Sequence, residues 1–267
     1  NIDMITKKFS MLISSAVENG ASQKNVFGNK FNVVLNSALA FPPCYNLRCE
    51  LINASIWNSA SNVSPLFDNA NLRLILGGVP LLLQIPAGLY SLSALNSFIS
   101  NELVLNGYND PNRILLDPNY ATSQVGIYFT VAGDQVDFTY PNSINTLLGF
   151  SASIFTCTVA NTYIFSDSGK AQLNRVNQFL IGLSFISQGI PLNSIATNII
   201  SAIDITAPPN SLITYAPQQP IAVSLPNLVG NSFNNFSVAL LDQQLRDVDT
   251  NGENFQFLLQ FSYEIKV

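Results

Sequence analysis

The 267-residue chain contains no histidine, and that absence frames any search for chemistry. Ser-His-Asp and Cys-His nucleophiles, the H-E-x-x-H helix and most catalytic zinc sites all need an imidazole as base or ligand. Carboxylates, thiols and glycine turns remain. Asp134 and Asp137 stand three apart. As a hydrolytic pair they would have to face each other across a cleft, which spacing does not establish. Asp134 falls in the turn Ala132-Gly133-Asp134 and Asp137 in the strand after it, so both are expected as solvated surface acids. Gly169-Lys170 fails the phosphate-loop pattern twice, with Ile164 in the first glycine position and Ala171 after the lysine. No G-x-G-x-x-G follows a strand. Asp247-Val-Asp249-Thr-Asn251-Gly252-Glu253 matches the first half of an EF-hand loop. Its twelfth position, however, is Leu258 instead of a bidentate glutamate, so a metal-free turn rich in turn-forming residues is expected. No residue is assigned a catalytic, cofactor-binding or metal-ligating role.

The three cysteines, Cys44, Cys49 and Cys157, are an odd count without the spacing of a disulfide scaffold. Mostly buried thiols in a reducing compartment are expected. Asn53, Asn62 and Asn235 head N-x-S sequons that an Asn- and Ser-rich chain produces by chance. Charged residues make up only 10%, against about 25% in an average domain, while hydrophobic residues reach 48%. The surface must therefore be amide- and hydroxyl-rich, or covered by neighbours. The net charge of −5 and 11 scattered basic residues, with only Lys7-Lys8 adjacent, argue against direct nucleic-acid binding. The most apolar run, 72–85, is broken by Gly77, Gly78 and Pro80 and is too short for a membrane span. No signal-peptide pattern is read, and a start at Asn1 instead of Met points to processing or to expression of a trimmed chain.

These residues must be positioned by strands. The spacing predicts one amphipathic helix over 92–105, with Leu92, Leu95, Phe98 or Ile99, and Leu103 on one stripe. Ser91 or Ser93 would cap it and Asn106-Gly107 would stop it. Residues 125–131 and 135–140 then read as a hairpin. Elsewhere about a dozen short strands bounded by turn residues predict an antiparallel sandwich or barrel. The clearest hairpin is read at 235–242 and 255–267 around the polar turn 243–254. In its second strand Phe255, Phe257, Leu259, Phe261, Tyr263 and Ile265 share a face. Residues 1–30 are weakly patterned and read as an N-terminal arm, with 7–17 as a short helix or part of that arm. Residues 31–267 are then one domain, with 86–150 as an α+β elaboration.

Five motifs occur in order: Ile85-Pro-Ala-Gly-Leu-Tyr-Ser-Leu-Ser-Ala-Leu-Asn96, Val136-Asp-Phe-Thr-Tyr-Pro-Asn-Ser143, Leu147-Leu-Gly-Phe150, Pro208-Pro-Asn-Ser-Leu-Ile-Thr-Tyr215, and Leu240-Leu-Asp-Gln243 followed by Val248-Asp-Thr-Asn-Gly-Glu253. Together they resemble the minor capsid, or penton-type, jelly-roll proteins of tailless double-stranded DNA viruses, the polinton-like virus, virophage and adenovirus-like lineage. The resemblance spans roughly 45–265. It implies an all-β antiparallel jelly-roll sandwich with an inserted helix-plus-hairpin module. It also implies a shell protein of the virion, assembled inside the host cell, with no enzyme activity and no cofactor. The implied partners are sister copies, a pentamer favoured, and a major capsid protein. A jelly-roll major capsid protein and a receptor-binding spike or lectin-like module are the alternatives.

Overall fold

The computed structural model describes residues 3–16, 21–24, 30–173, 176–192 and 195–267. The chain divides into two compact units, one made of Asn1–Ala60 with Val176–Val267 and the other of Ser61–Arg175. In chain order the first unit opens with β1 (Met4–Ser14), β2 (Ala21–Lys24), β3 (Lys30–Ala40) and β4 (Tyr45–Trp57). The second unit holds β5 (Asn71–Leu76), β6 (Val79–Gln84), α1 (Leu92–Leu105), β7 (Ile114–Asn119) and β8 (Gln124–Phe129). It continues through β9 (Gln135–Asp137), α2 (Asn145–Leu148), β10 (Ile154–Thr156) and β11 (Thr162–Phe165). The first unit resumes with β12 (Gln178–Leu183), β13 (Ile199–Asp204), β14 (Leu212–Tyr215), β15 (Ala222–Ser224), β16 (Ser232–Leu241) and β17 (Gln256–Lys266).

In the first unit one sheet runs β1-β17-β4-β14, with β15 also on β4, and the other runs β13-β12-β16-β3-β2. Every pairing is antiparallel. Leave β2 aside as a hairpin partner of β3, and β15 as a continuation of β14. The remaining eight strands then change sheet at every step along the chain except from β12 to β13, giving the two four-stranded sheets β1-β17-β4-β14 and β3-β16-β12-β13 of a jelly roll. Alternation explains which residues face inward. Phe257, Leu259 and Phe261 of β17 meet Phe179, Ile181, Val238 and Leu240 of the other sheet in one core. The rings of Phe31 and Phe255 sit 5.7 Å apart and those of Phe185 and Phe261 5.9 Å. On β4 the buried phase changes from Leu47, Cys49 and Leu51 to Ala54 and Ile56. The cause is a bulge opposite Leu258 and Leu259, where one extra residue shifts every later side chain.

Two expectations fail in this unit. Residues 235–242 and 255–267 do not form a hairpin, because β16 pairs with β12 and β3 while β17 pairs with β1 and β4. Their apolar rows face each other from opposite sheets, and a loop as long as 243–254 fixes no two-strand register. Nor is 7–17 a helix or a loose arm: β1 pairs with β17 from Met4↔Lys266 to Ser14↔Gln256. Phe9, Met11 and Ile13 alternate inward, and Phe9 stacks on Phe261 at 5.0 Å. Residues 1–2, 17–20 and 25–29 of the expected arm lie outside the described residues.

The second unit, wider than the expected 86–150, has its own core of Leu72, Leu74, Ile99, Ile127, Leu148 and Phe150 among others. It contains the sheets β10-β9-β5-β6 and β11-β8-β7. The helix forms where the stripe predicts: Ser91 accepts a hydrogen bond from the Ala94 amide, and Leu95, Ile99 and Leu103 are buried. The expected hairpin of 125–131 with 135–140 is absent, since β8 and β9 belong to different sheets. The hairpin beside the helix is instead β7–β8. Its first strand was hidden by Asp117-Pro118, and a proline is tolerated there because β7 is an edge strand.

Candidate functional site

The two carboxylates weighed for hydrolysis are buried, not solvated. Asp134 is 0% exposed. Its oxygens accept from Arg113 Nε at 2.6 Å, from Arg113 Nη2 at 2.7 Å and from the Gly77 amide at 2.9 Å. The Asp134 carboxylate holds the Arg113 guanidinium above its ordinary range, and that guanidinium also lies 5.3 Å from the Tyr108 ring centre. Asp137 accepts from Arg73 Nη1 at 3.1 Å, and from the Thr139 amide and hydroxyl at 3.0 and 2.6 Å. Both carboxylates are thus committed to charge-assisted hydrogen bonds within the fold. These are structural ties between strands and turns, and they do not form an acid–base pair.

The EF-hand-like turn is likewise consumed by its own backbone. Asp249 accepts from the Asn251 amide at 2.9 Å, the turn geometry its sequence favours. The Thr250 hydroxyl donates to the Glu253 carbonyl at 2.9 Å, and the Ser59 hydroxyl donates to the Thr250 carbonyl at 2.7 Å. Asn251 and Gly252 turn the chain through left-handed φ values of 53° and 84°. Just upstream, Asp242 accepts from the Gln244 and Arg246 amides at 2.8 and 3.0 Å and pairs with the Arg246 guanidinium. Among the described residues no group of three or more His, Cys, Asp or Glu side chains is placed to hold a metal ion. Around Gly169-Lys170 the backbone is irregular, with Gly169 at a φ of 147°, and among the described residues no helix follows to aim its amides at a phosphate.

All three cysteines are free thiols. Burial pushes the Cys49 thiol far up and the Cys44 thiol up as well, which keeps both as neutral packing groups. The Cys157 thiol donates to the Val159 carbonyl at 3.0 Å. Of the sequon asparagines, Asn62 is a buried strut. Its amide nitrogen donates to the Tyr90 and Leu173 carbonyls at 2.7 and 2.9 Å, and its oxygen accepts from the Tyr90 amide at 2.8 Å.

What sequence reasoning missed are two outward sheet faces. On the first unit, cross-strand pairing places Leu12 beside Leu258 and Asn53, and Gln256 beside Ser55, with Trp57 beside Leu212 on the same side. Leu12 is 65% exposed and Leu212 46%, and no residue in this end of the face is charged. A depression of about 240 Å³ opens between Trp57, Leu212 and Phe255.

On the second unit, the outer face of β11-β8-β7 carries aromatic rings. Tyr163 pairs across with Tyr128 and then Leu115, and Phe165 with Gly126 and then Asp117. The Tyr163 hydroxyl donates to Asp117 at 2.7 Å, two strands away, so its side chain must lie along the sheet and cross β8. That bond raises the tyrosine above its ordinary pKa. Gly126 makes the crossing possible: a Cβ there would meet Phe165 at 2.9 Å and Tyr163 at 3.1 Å. The signal available beforehand was the alternation Tyr163, Phe165 opposite a glycine, which reads as an ordinary short strand until its partners are known.

No protein-family model matches the sequence, and no curated protein matches it. Among solved structures, the chain is similar to the crystal structure of the mavirus penton protein at 10% identity and a TM-score of 0.45, over 98% of this chain and 100% of that one.

Proposed function

We propose that this chain is a structural subunit of an icosahedral virus shell, at the vertex (penton) or another minor position. It works by self-association and by packing against a major capsid protein. The observation that carries this reading is the uncharged outer end of β1-β17-β4-β14, with Leu12, Trp57 and Leu212 open on a rigid jelly roll. A face without charges can be covered by a neighbour without desolvating ions, and depletion of charge marks the centre of protein interfaces. The five ordered motifs and the 10% charged composition support the same reading. One jelly roll carrying an inserted unit favours a minor position over a major capsomer built of two rolls. Copies around a closed fivefold axis would meet through heterologous contacts.

Native mass spectrometry and sedimentation of the purified protein test this. A pentamer is expected, with the emission of Trp57, the one tryptophan, shifted to the blue on assembly. Leu12→Asp should shift the population toward monomer without changing the fold. A trimer present at major-capsomer copy number would replace the vertex reading with the major capsid one. A strict monomer that never enters particles would end both.

A further inference from the structure

We propose that the outer face of β11-β8-β7 is a stacking site for a neutral saccharide, a binding function beyond the shell role and independent of it. The rings of Tyr163 and Phe165 are parallel to within 14° with centres 5.8 Å apart, and each residue is 46% exposed. Tyr128 adds a third ring at the side of this pair, 4.9 Å from Tyr163 and tilted by 44° to it. The exposed rings of Tyr163 and Phe165, with the half-buried Tyr128, present polarised π surface, to which the partly positive C–H groups of a pyranose ring are attracted.

Polar groups that orient a sugar stand at the edge of this platform. The Tyr128 hydroxyl donates to Asn161 Oδ1 at 3.0 Å, and the Tyr163 hydroxyl is held by the Asp117 carboxylate. These hydroxyls and the second lone pairs of the Asn161 and Asp117 oxygens suit sugar hydroxyls, which both donate and accept. Asp117 on the face, and Asp110 and Asp167 beside it, are all acidic, which selects against sialylated or sulfated glycans.

Size decides between a saccharide and a protein. Three strands at a spacing of about 4.8 Å, two side-chain rows deep, give a platform of roughly 10 by 7 Å. A stable protein interface needs about 800 Å² on each partner, an order of magnitude more. One or two sugar rings match the platform.

The packing role of the rings, covering Gly126, is a separate matter that the test must distinguish. The protein is titrated by calorimetry with the neutral chitohexaose, cellohexaose and laminarihexaose, and separately with heparin, and its aromatic ring signals are followed by NMR. At least one oligosaccharide is expected to bind and to shift the ring signals of Tyr128, Tyr163 and Phe165 in the unmodified protein. Tyr163→Ala and Phe165→Ala should each weaken binding by about tenfold or more, a loss of one stacking partner, while Tyr163→Phe keeps it within about threefold. The proposal is overturned if none of the three binds at about 10 mM, a concentration that would reveal even millimolar affinity. Ring shifts confined to other aromatics would overturn it too. So would undiminished affinity in both alanine variants with unchanged circular dichroism, or binding of heparin in place of the neutral glycans. Because the wild-type titration needs no variant, an unfolded mutant does not blunt the result. The shell reading stands or falls separately, on oligomeric state.

Discussion

At the scale of single residues, the charged side chains that matter are those withdrawn from water. The Arg113–Asp134 pair has side chains 18% and 0% exposed and a forked two-bond geometry. Removing one partner leaves the other buried and uncompensated, which costs about 3–5 kcal/mol. Because Arg113 retains some solvent, Arg113→Met should lie near the lower end, about 3 kcal/mol in urea unfolding. Adding Asp134→Asn should recover part of that loss, since an amide still accepts from Gly77. A loss of under about 1 kcal/mol for the single variant would mean that the pair behaves as a surface contact. None of this was legible in the sequence. The spacing of Asp134 and Asp137 was visible, but the arginines that neutralise them sit 21 and 64 residues away, brought close only by sheet pairing. The absence of imidazole, in contrast, is a property of composition and removes whole classes of chemistry without any fold.

Among the elements, local signals were readable and long-range ones were not. The stripe Leu95, Ile99 and Leu103 lies within one helix, so its burial could be read directly. The aromatic row of β17 was also visible, but which strand it pairs with was not. Two apolar strands joined by a loop look alike whether they share a sheet or face each other across a core. The edge of β7 is a finer case. Asn96, on α1, donates to the Leu116 carbonyl at 2.9 Å and accepts from the Leu116 amide at 2.8 Å. One side-chain amide thus takes the place of a missing neighbouring strand, closing a backbone edge that would otherwise recruit another chain. Asn96→Leu should cost about 1–3 kcal/mol, the range for stranding partly buried backbone groups, and amide exchange at Leu116 should quicken. Unchanged exchange there would show that water replaces the side chain at no cost.

For the whole molecule, the jelly roll and its insertion have separate cores, one drawn from residues 13–60 and 179–261 and the other from 63–157. Separate cores are what independently folding units require, and independent folding of each is therefore expected. Replacing residues 61–175 by a short Gly-Ser linker should leave a jelly roll that unfolds cooperatively, and 61–175 expressed alone should also fold, as judged by dispersed amide NMR signals. A collapsed, poorly dispersed spectrum from either piece would mean that the two units stabilise each other. The arrangement of β17 has a further consequence. It lies between β1 and β4, yet Gln256 follows Trp57 only after the whole of the second unit and the strands β12 to β16 of the first. During synthesis the early strands must wait, with both flanks of their future central partner vacant, while the inserted unit emerges complete and is free to fold at once. A chain interrupted before β17 would therefore carry a well-formed insertion tethered to sticky, open strands, so quality control of this protein should fall on β17.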